Sequence, residues 1–86
     1  MNKEIRVKLL EGDGTGPRHD VVVLFSRAAY FKISQQDEEE RGAFNQTTWL
    51  DPLRVLYDWA VYYKFFATKP DAVTYLERFG FTERTQ

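Results

Sequence analysis

Between Leu53 and Ala67 only Arg54, Asp58 and Lys64 are charged, and every other residue is apolar or aromatic. A segment of that composition must be buried on nearly all sides, so the remainder of the 86-residue chain has to be arranged around it. Asp51 followed by Pro52 reads as a helix N-cap with proline at the first helical position. The carboxylate there accepts from free backbone N–H groups, and proline has none to lose. The spacing predicts a helix from Pro52 to about Ala67. Stepping about 100° per residue places Leu53, Val55, Leu56, Tyr57, Trp59, Ala60, Tyr62, Tyr63, Phe66 and Ala67 on one arc of about 200°, interrupted only by Lys64. Arg54 and Asp58 form an (i, i+4) pair on the remaining face, where Val61 and Phe65 also fall.

A second start follows at once in Thr68-Lys69-Pro70-Asp71. That helix should end at Gly80, the usual left-handed residue after a last turn, with Phe81 packing back on Leu76 in a Schellman motif. Two helices so close together form an αα-hairpin.

The first half reads differently. From Lys3 to Leu10 charged residues alternate with Ile5, Val7 and Leu9, the period-two signature of a half-buried strand. Val21 to Phe25 is a β-branched and aromatic run, read as a second strand antiparallel to the first. Between Arg27 and Arg41 the signals conflict. Ala28, Ala29 and the stretch from Gln35 to Arg41 favour helix, while Tyr30, Phe31 and Ile33 suit strand. The reading taken is strand to about Ile33, with a helix over about Asp20 to Arg41 as the rival.

The fold class expected is therefore α+β: an antiparallel sheet of two or three strands, begun by an N-terminal β-hairpin and packed against a C-terminal αα-hairpin. One domain covers 1–86, with the sheet region at 3–34, an acidic connector at 35–50, the helical hairpin at 52–80 and a frayed tail at 82–86.

Chemistry has few places to reside. With no cysteine the chain lacks disulfides, thiolate metal ligands and thiol nucleophiles, which suits a reducing compartment, and the cytoplasm is the expected location. No apolar run reaches the roughly 20 residues needed to span a bilayer, so no membrane partner is expected. His19 is the lone histidine, and Ser26 and Ser34 lack the glycines of a nucleophile elbow.

The loop Glu11-Gly12-Asp13-Gly14-Thr15-Gly16-Pro17 is one spacing residue short of a dinucleotide-binding G-x-G-x-x-G, and no lysine completes a P-loop. Glu11, Asp13, Thr15 and Gly16 occupy positions of a calcium loop, but Val22 stands where the bidentate carboxylate must be. Leu9 to Pro17 resembles the strand-and-turn opening of the β-decarboxylating dehydrogenases, the isocitrate and isopropylmalate enzymes, which begin L-P-G-D-G-x-G-P-E. The resemblance implies a helix after Pro17. It covers about nine residues, departs at Arg18 where that family has Glu, and carries no catalytic residue across, since the chain is too short for that large fold. Turn chemistry accounts for the glycines. No enzyme activity, cofactor or metal is expected.

What remains is recognition. Net charge is only −1, while aromatic residues make up 16% of the chain, and the segment from Phe44 to Phe81 that holds most of them is where the core and a partner surface are expected. The expected function is non-catalytic binding of another protein or of a second copy of the chain, as a small inhibitor, adaptor or assembly subunit of the kind common among accessory proteins of phages and other mobile elements. Tyr57, Val61, Tyr62 and Phe65 on the long helix would carry the contact, with the acidic run Glu38, Glu39 and Glu40 as a secondary surface. The alternative is a nucleic-acid-binding module using Lys3, Arg6 and Lys8 on the exposed strand face with Arg18 and Arg27.

Overall fold

A computed structural model describes residues 4–11, 21–46 and 57–81. Strand β1 (Val7–Glu11) and strand β2 (Val21–Ser26) pair antiparallel, with Val7 opposite Phe25 and Leu9 opposite Val23. Helix α1 (Arg27–Gln36) begins on the residue after β2 ends, and a 3₁₀ helix (Glu38–Ala43) follows it. The short strand β3 (Asn45–Gln46), strand β4 (Ala60–Phe66) and helix α2 (Lys69–Arg78) complete the described elements. The sheet is antiparallel throughout and ordered β1-β2-β4-β3, so both halves of the chain share it. The class is α+β, a small antiparallel sheet with helices packed against it, as the sequence implies.

Ser26 accounts for the abrupt change from strand to helix. Its Oγ accepts from the Ala29 N–H at 3.1 Å, which makes it the N-cap of α1. The same oxygen accepts from the Arg6 N–H at 3.0 Å and donates to the Glu4 carbonyl at 3.0 Å, tying the chain before β1 to the start of α1. The strand expected to continue to Ile33 is therefore a helix from Arg27. Ala29 and Ile33, four apart, are its buried stripe. The rival helix reading was right for this part, but Val21 to Ser26 is strand, so the helix implied after Pro17 is not what the chain forms there.

The larger correction concerns Ala60 to Phe66. This portion of the expected long helix is strand β4, hydrogen-bonded between β2 and β3. Asp51 and Pro52, and the helix start assigned to them, lie outside the described residues. Val, Tyr and Phe dominate the segment, and these residues lose side-chain freedom in a helix but pack well on a pleated sheet. A strand covered on both faces is apolar in both phases of its two-residue period, so it reads as a continuous run and carries no periodic signal. Among the described residues the helices packed on the sheet are α1 and α2, and β4 stands where the expected αα-hairpin has the second half of its first helix.

Helix α2 matches its sequence signals residue by residue. Thr68 Oγ1 caps it by accepting from the Asp71 N–H at 3.3 Å. Gly80 has φ +88°, the Gly80 N–H reaches the Glu77 carbonyl at 3.1 Å and the Phe81 N–H reaches the Leu76 carbonyl at 2.9 Å, completing the Schellman motif.

Two apolar clusters sandwich the sheet. On the helix side Val7, Val21, Val23 and Phe25 meet Ala29 and Ile33 of α1 and Ala72, Tyr75 and Leu76 of α2, with Phe79 and Phe81 beyond it. On the opposite side Leu24, Ala60 and Tyr63 are buried, with Leu10, Val22, Tyr57, Trp59 and Phe65 packed around them. A β-bulge lies between the Phe25–Tyr62 and Ser26–Ala60 pairs, and it inserts Val61 between the two registers.

Candidate functional site

With Ala29 and Ile33 turned to the core, steps of about 100° carry Phe31 to the opposite side of α1. Phe31 is 50% exposed; with Ile5 it makes up the exposed large hydrophobics among the described residues. Its neighbours form a connected set of rings. Tyr30 lies 5.8 Å from Phe31, stacks on Tyr62 of β4 at 4.2 Å with an interplanar angle of 19°, and meets Phe44 edge-on at 5.3 Å. Phe44 in turn packs edge-on against the buried Phe25 at 4.8 Å. Such offset and edge-to-face pairs fix ring positions beyond what area burial alone does. The exposed Phe31 therefore stands on a braced aromatic base. The Tyr30 hydroxyl donates to the Arg41 carbonyl at 2.9 Å, joining this base to the 3₁₀ helix.

That 3₁₀ helix is held by ion pairs. Asp37 caps it through the Glu39 N–H and pairs with Arg78 of α2. Glu38 pairs with Arg41 at 3.2 Å, on the surface. Glu40 reaches inward, where one carboxylate oxygen accepts from Lys64 Nζ at 2.9 Å and from the Tyr75 hydroxyl at 2.8 Å. The Lys64 ammonium also lies 4.7 Å from the Tyr75 ring centre, 5.8 Å from Phe44 and 5.9 Å from Phe66, a cation among aromatic faces.

Burial opposes ionisation of Glu40, but the bonds from Lys64 and Tyr75 outweigh it and hold the carboxyl below its ordinary value. Burial also pushes the Tyr75 hydroxyl up, reinforced by the carboxylate it donates to. The two shifts act at opposite ends of the pH scale. A depressed carboxyl contributes stability that is present above its ordinary 4.5 and is lost as pH falls below it. A raised tyrosine contributes stability that is present below its ordinary 10.0 and is lost as pH climbs above it. Thermal melts across pH are therefore expected to show losses on both flanks. The alkaline loss should be smaller in Tyr75→Phe, and an unchanged alkaline flank would exclude Tyr75 as its source.

Among the described residues no three or more of His, Cys, Asp and Glu are placed to hold a metal ion, and no helix is long and apolar enough to cross a membrane. Comparison with known proteins gives no match. No protein-family model fits the chain, and neither a curated protein nor a solved structure matches it. The functional reading therefore stands on the geometry alone.

The residues singled out from sequence are dispersed by the change of element. Tyr62 lies on the helix side of the sheet and joins the aromatic base. Phe65 lies on the other side, 5.3 Å from Tyr63, and Tyr57 packs there 6.2 Å from Trp59. Val61 belongs to the bulge. Tyr57, Val61, Tyr62 and Phe65 therefore share no helix face, because consecutive strand residues alternate between faces. In the acidic run Glu38 and Glu39 are exposed, whereas Glu40 is engaged with Lys64 and Tyr75. Of the basic set, Arg6 lies over the Trp59 ring at 4.6 Å just before β1, Lys8 is half-buried on β1, Arg27 is exposed at the start of α1, and Lys3 and Arg18 lie outside the described residues.

Tyr30, Phe31 and Phe44 are not among the candidate binding residues read from sequence. The signal for Phe31 was present. Once Ala29 and Ile33 are taken as an (i, i+4) buried pair, Phe31 must face away from the core.

Proposed function

We propose that the chain is a non-catalytic protein-recognition module, a small inhibitor, adaptor or assembly subunit acting in the cytoplasm, which binds its partner through Phe31 and the Tyr30–Tyr62 stack beneath it. The observation that supports this reading is a half-exposed phenylalanine on a rigid aromatic base. Aromatic side chains at binding surfaces carry much of the affinity, and rings already fixed in place lose little freedom on binding. Glu38 and Glu39 on the adjoining 3₁₀ helix would form a polar rim.

Phe31 is also the informative residue to change, since Phe65 packs in the second cluster and its replacement would disturb the fold. Phe31→Ser is expected to leave the fold intact, with a change in unfolding free energy of about 0.5 kcal/mol, as for other surface substitutions. Affinity capture from the cells that encode the protein should then lose the proteins retained by the wild type. Equal capture by both forms would exclude this surface. Capture that instead vanishes with added salt and tracks nucleic acid would favour the basic set Lys3, Arg6, Lys8, Arg18 and Arg27.

A further inference from the structure

Phe31 sits near the middle of α1, on the face turned away from Ala29 and Ile33. Steps of about 100° per residue place Arg27 and Ser34 along one flank of Phe31, and Ala28 and Gln35 along the other. Arg27, Phe31 and Gln35 are exposed, while Ala28 and Ser34 are half-buried. Each flank therefore carries one long side chain and one small one, toward opposite ends of the helix. The Ser34 hydroxyl donates to the Phe31 carbonyl at 3.0 Å, so covering it strands no donor.

The charges around this stripe run against the helix dipole. A helix favours acids at its N-terminus and cations at its C-terminus. Helix α1 has Arg27 as its first residue, no acid in its first turn and no base in its last, and Asp37, Glu38 and Glu39 follow its end. Asp37 pairs with Arg78 and Glu38 with Arg41. Arg27 and Glu39 are both exposed and have no ion pair among the described residues. A cation thus lies at one end of the Phe31 stripe and an anion beyond the other.

We infer that the occupant of this surface is a second copy of the chain, with the two α1 helices packed antiparallel about a two-fold axis at Phe31; this rests on Phe31 being the binding residue. A two-fold there reverses position along the helix and keeps the flank. Phe31 then meets Phe31, Arg27 of one copy lies beside Ser34 of the other, and Ala28 lies beside Gln35. Each long side chain faces a small one, as close packing of two helices requires. Side chains on a helix lean toward its N-terminus, which carries the Arg27 guanidinium past Ser34 of the second copy toward the C-terminal end of that helix and Glu39 beyond it. Each copy supplies the cation that the other helix end lacks. Parallel packing would instead set Arg27 against Arg27, a repulsion with nothing to offset it. Contact between two ten-residue helices is at the small end of interface sizes, so the dimer should dissociate on dilution.

Light scattering on the full chain at rising concentration should show the 10.2 kDa mass doubling. Phe31→Ser removes the aromatic anchor at the centre of the contact from both copies and should weaken the dimer about a hundredfold. The Arg27 and Glu39 pair occurs twice, so Arg27→Glu or Glu39→Arg alone should weaken it about tenfold. Combined in one chain, the two reversals rebuild the pair with its signs exchanged, and dimerisation should return to near the wild-type level. Arg27→Glu places an acid in the first turn of α1, where it favours the helix, so its effect on the dimer is not a loss of fold. A monomer at every concentration overturns the inference. If Phe31→Ser still loses captured proteins in that case, Phe31 binds a different protein and the recognition reading stands. A dimer that Phe31→Ser leaves unchanged, or that the double reversal does not restore, overturns the pairing equally. Equal capture by wild type and Phe31→Ser, with the dimer unchanged, removes the recognition reading and this pairing together.

Discussion

Ser26→Ala is expected to destabilise the protein by about 2–3 kcal/mol, roughly the loss of an N-cap plus one buried donor left without a partner. The side chain is small, but its position is not replaceable. Ser26 is 6% exposed, and its Oγ holds the Ala29 N–H, the Arg6 N–H and the Glu4 carbonyl together. Alanine leaves all three groups to find other partners, and of these the Ala29 N–H is the one buried away from water. In a domain of this size the loss corresponds to a fall in melting temperature of about 10–20 °C. Urea unfolding should show a lower midpoint with unchanged slope. Ser26→Thr keeps the hydroxyl while adding a methyl group to a closed site, so an intermediate loss is expected. A loss below about 0.5 kcal/mol for Ser26→Ala, the range of ordinary surface changes, would mean that the hydroxyl does not tie the chain before β1 to α1.

Ser26 also shows where sequence reading succeeds and where it stops. Elements with a clear period or clear punctuation were legible. β1 alternates, β2 is a β-branched run, and α2 is bracketed by Thr68 and Gly80. The conflict over Arg27 to Arg41 turned on one hydroxyl whose partners include Arg6, twenty residues away. Only the fold brings that partner near. The segment from Ala60 to Phe66 failed for a different reason. An arc drawn on a helical wheel has meaning only when one face is polar, and a strand lying between two apolar clusters has no polar face to set its phase. Tyr62 was therefore named on the wrong element, while Phe31 was hidden by the strand reading of its segment. The role of Glu40 was not legible at all, since its partners Lys64 and Tyr75 are 24 and 35 residues away in sequence.

Lys64→Met should cost about 2–3 kcal/mol, and most of that cost should disappear when Glu40 is changed as well. A cation in the middle of a strand, directed toward the helices, is an unusual occupant of a core boundary. The Lys64 side chain is 21% exposed and that of Glu40 19% exposed, so the pair is mostly but not fully removed from water. Breaking a fully buried pair costs about 3–5 kcal/mol because one charge is stranded, whereas an exposed pair contributes about 1 kcal/mol or less. The partial exposure places Lys64→Met between those limits. Methionine retains an unbranched apolar chain among Phe44, Phe66 and Tyr75, so the loss reports the charge rather than the packing. In Lys64→Met with Glu40→Gln no carboxylate is stranded, and a double-mutant cycle should return a coupling energy above about 1 kcal/mol. Additive losses would show that the two residues act separately. The same pair bears on recognition, because Glu40 anchors the 3₁₀ helix whose Arg41 carbonyl accepts from Tyr30. Lys64→Met should therefore weaken partner capture together with stability, while Phe31→Ser weakens capture alone. If Lys64→Met lowers stability and leaves capture untouched, the brace beneath Phe31 does not depend on the 3₁₀ helix, and the aromatic stack on Tyr62 must suffice to hold it.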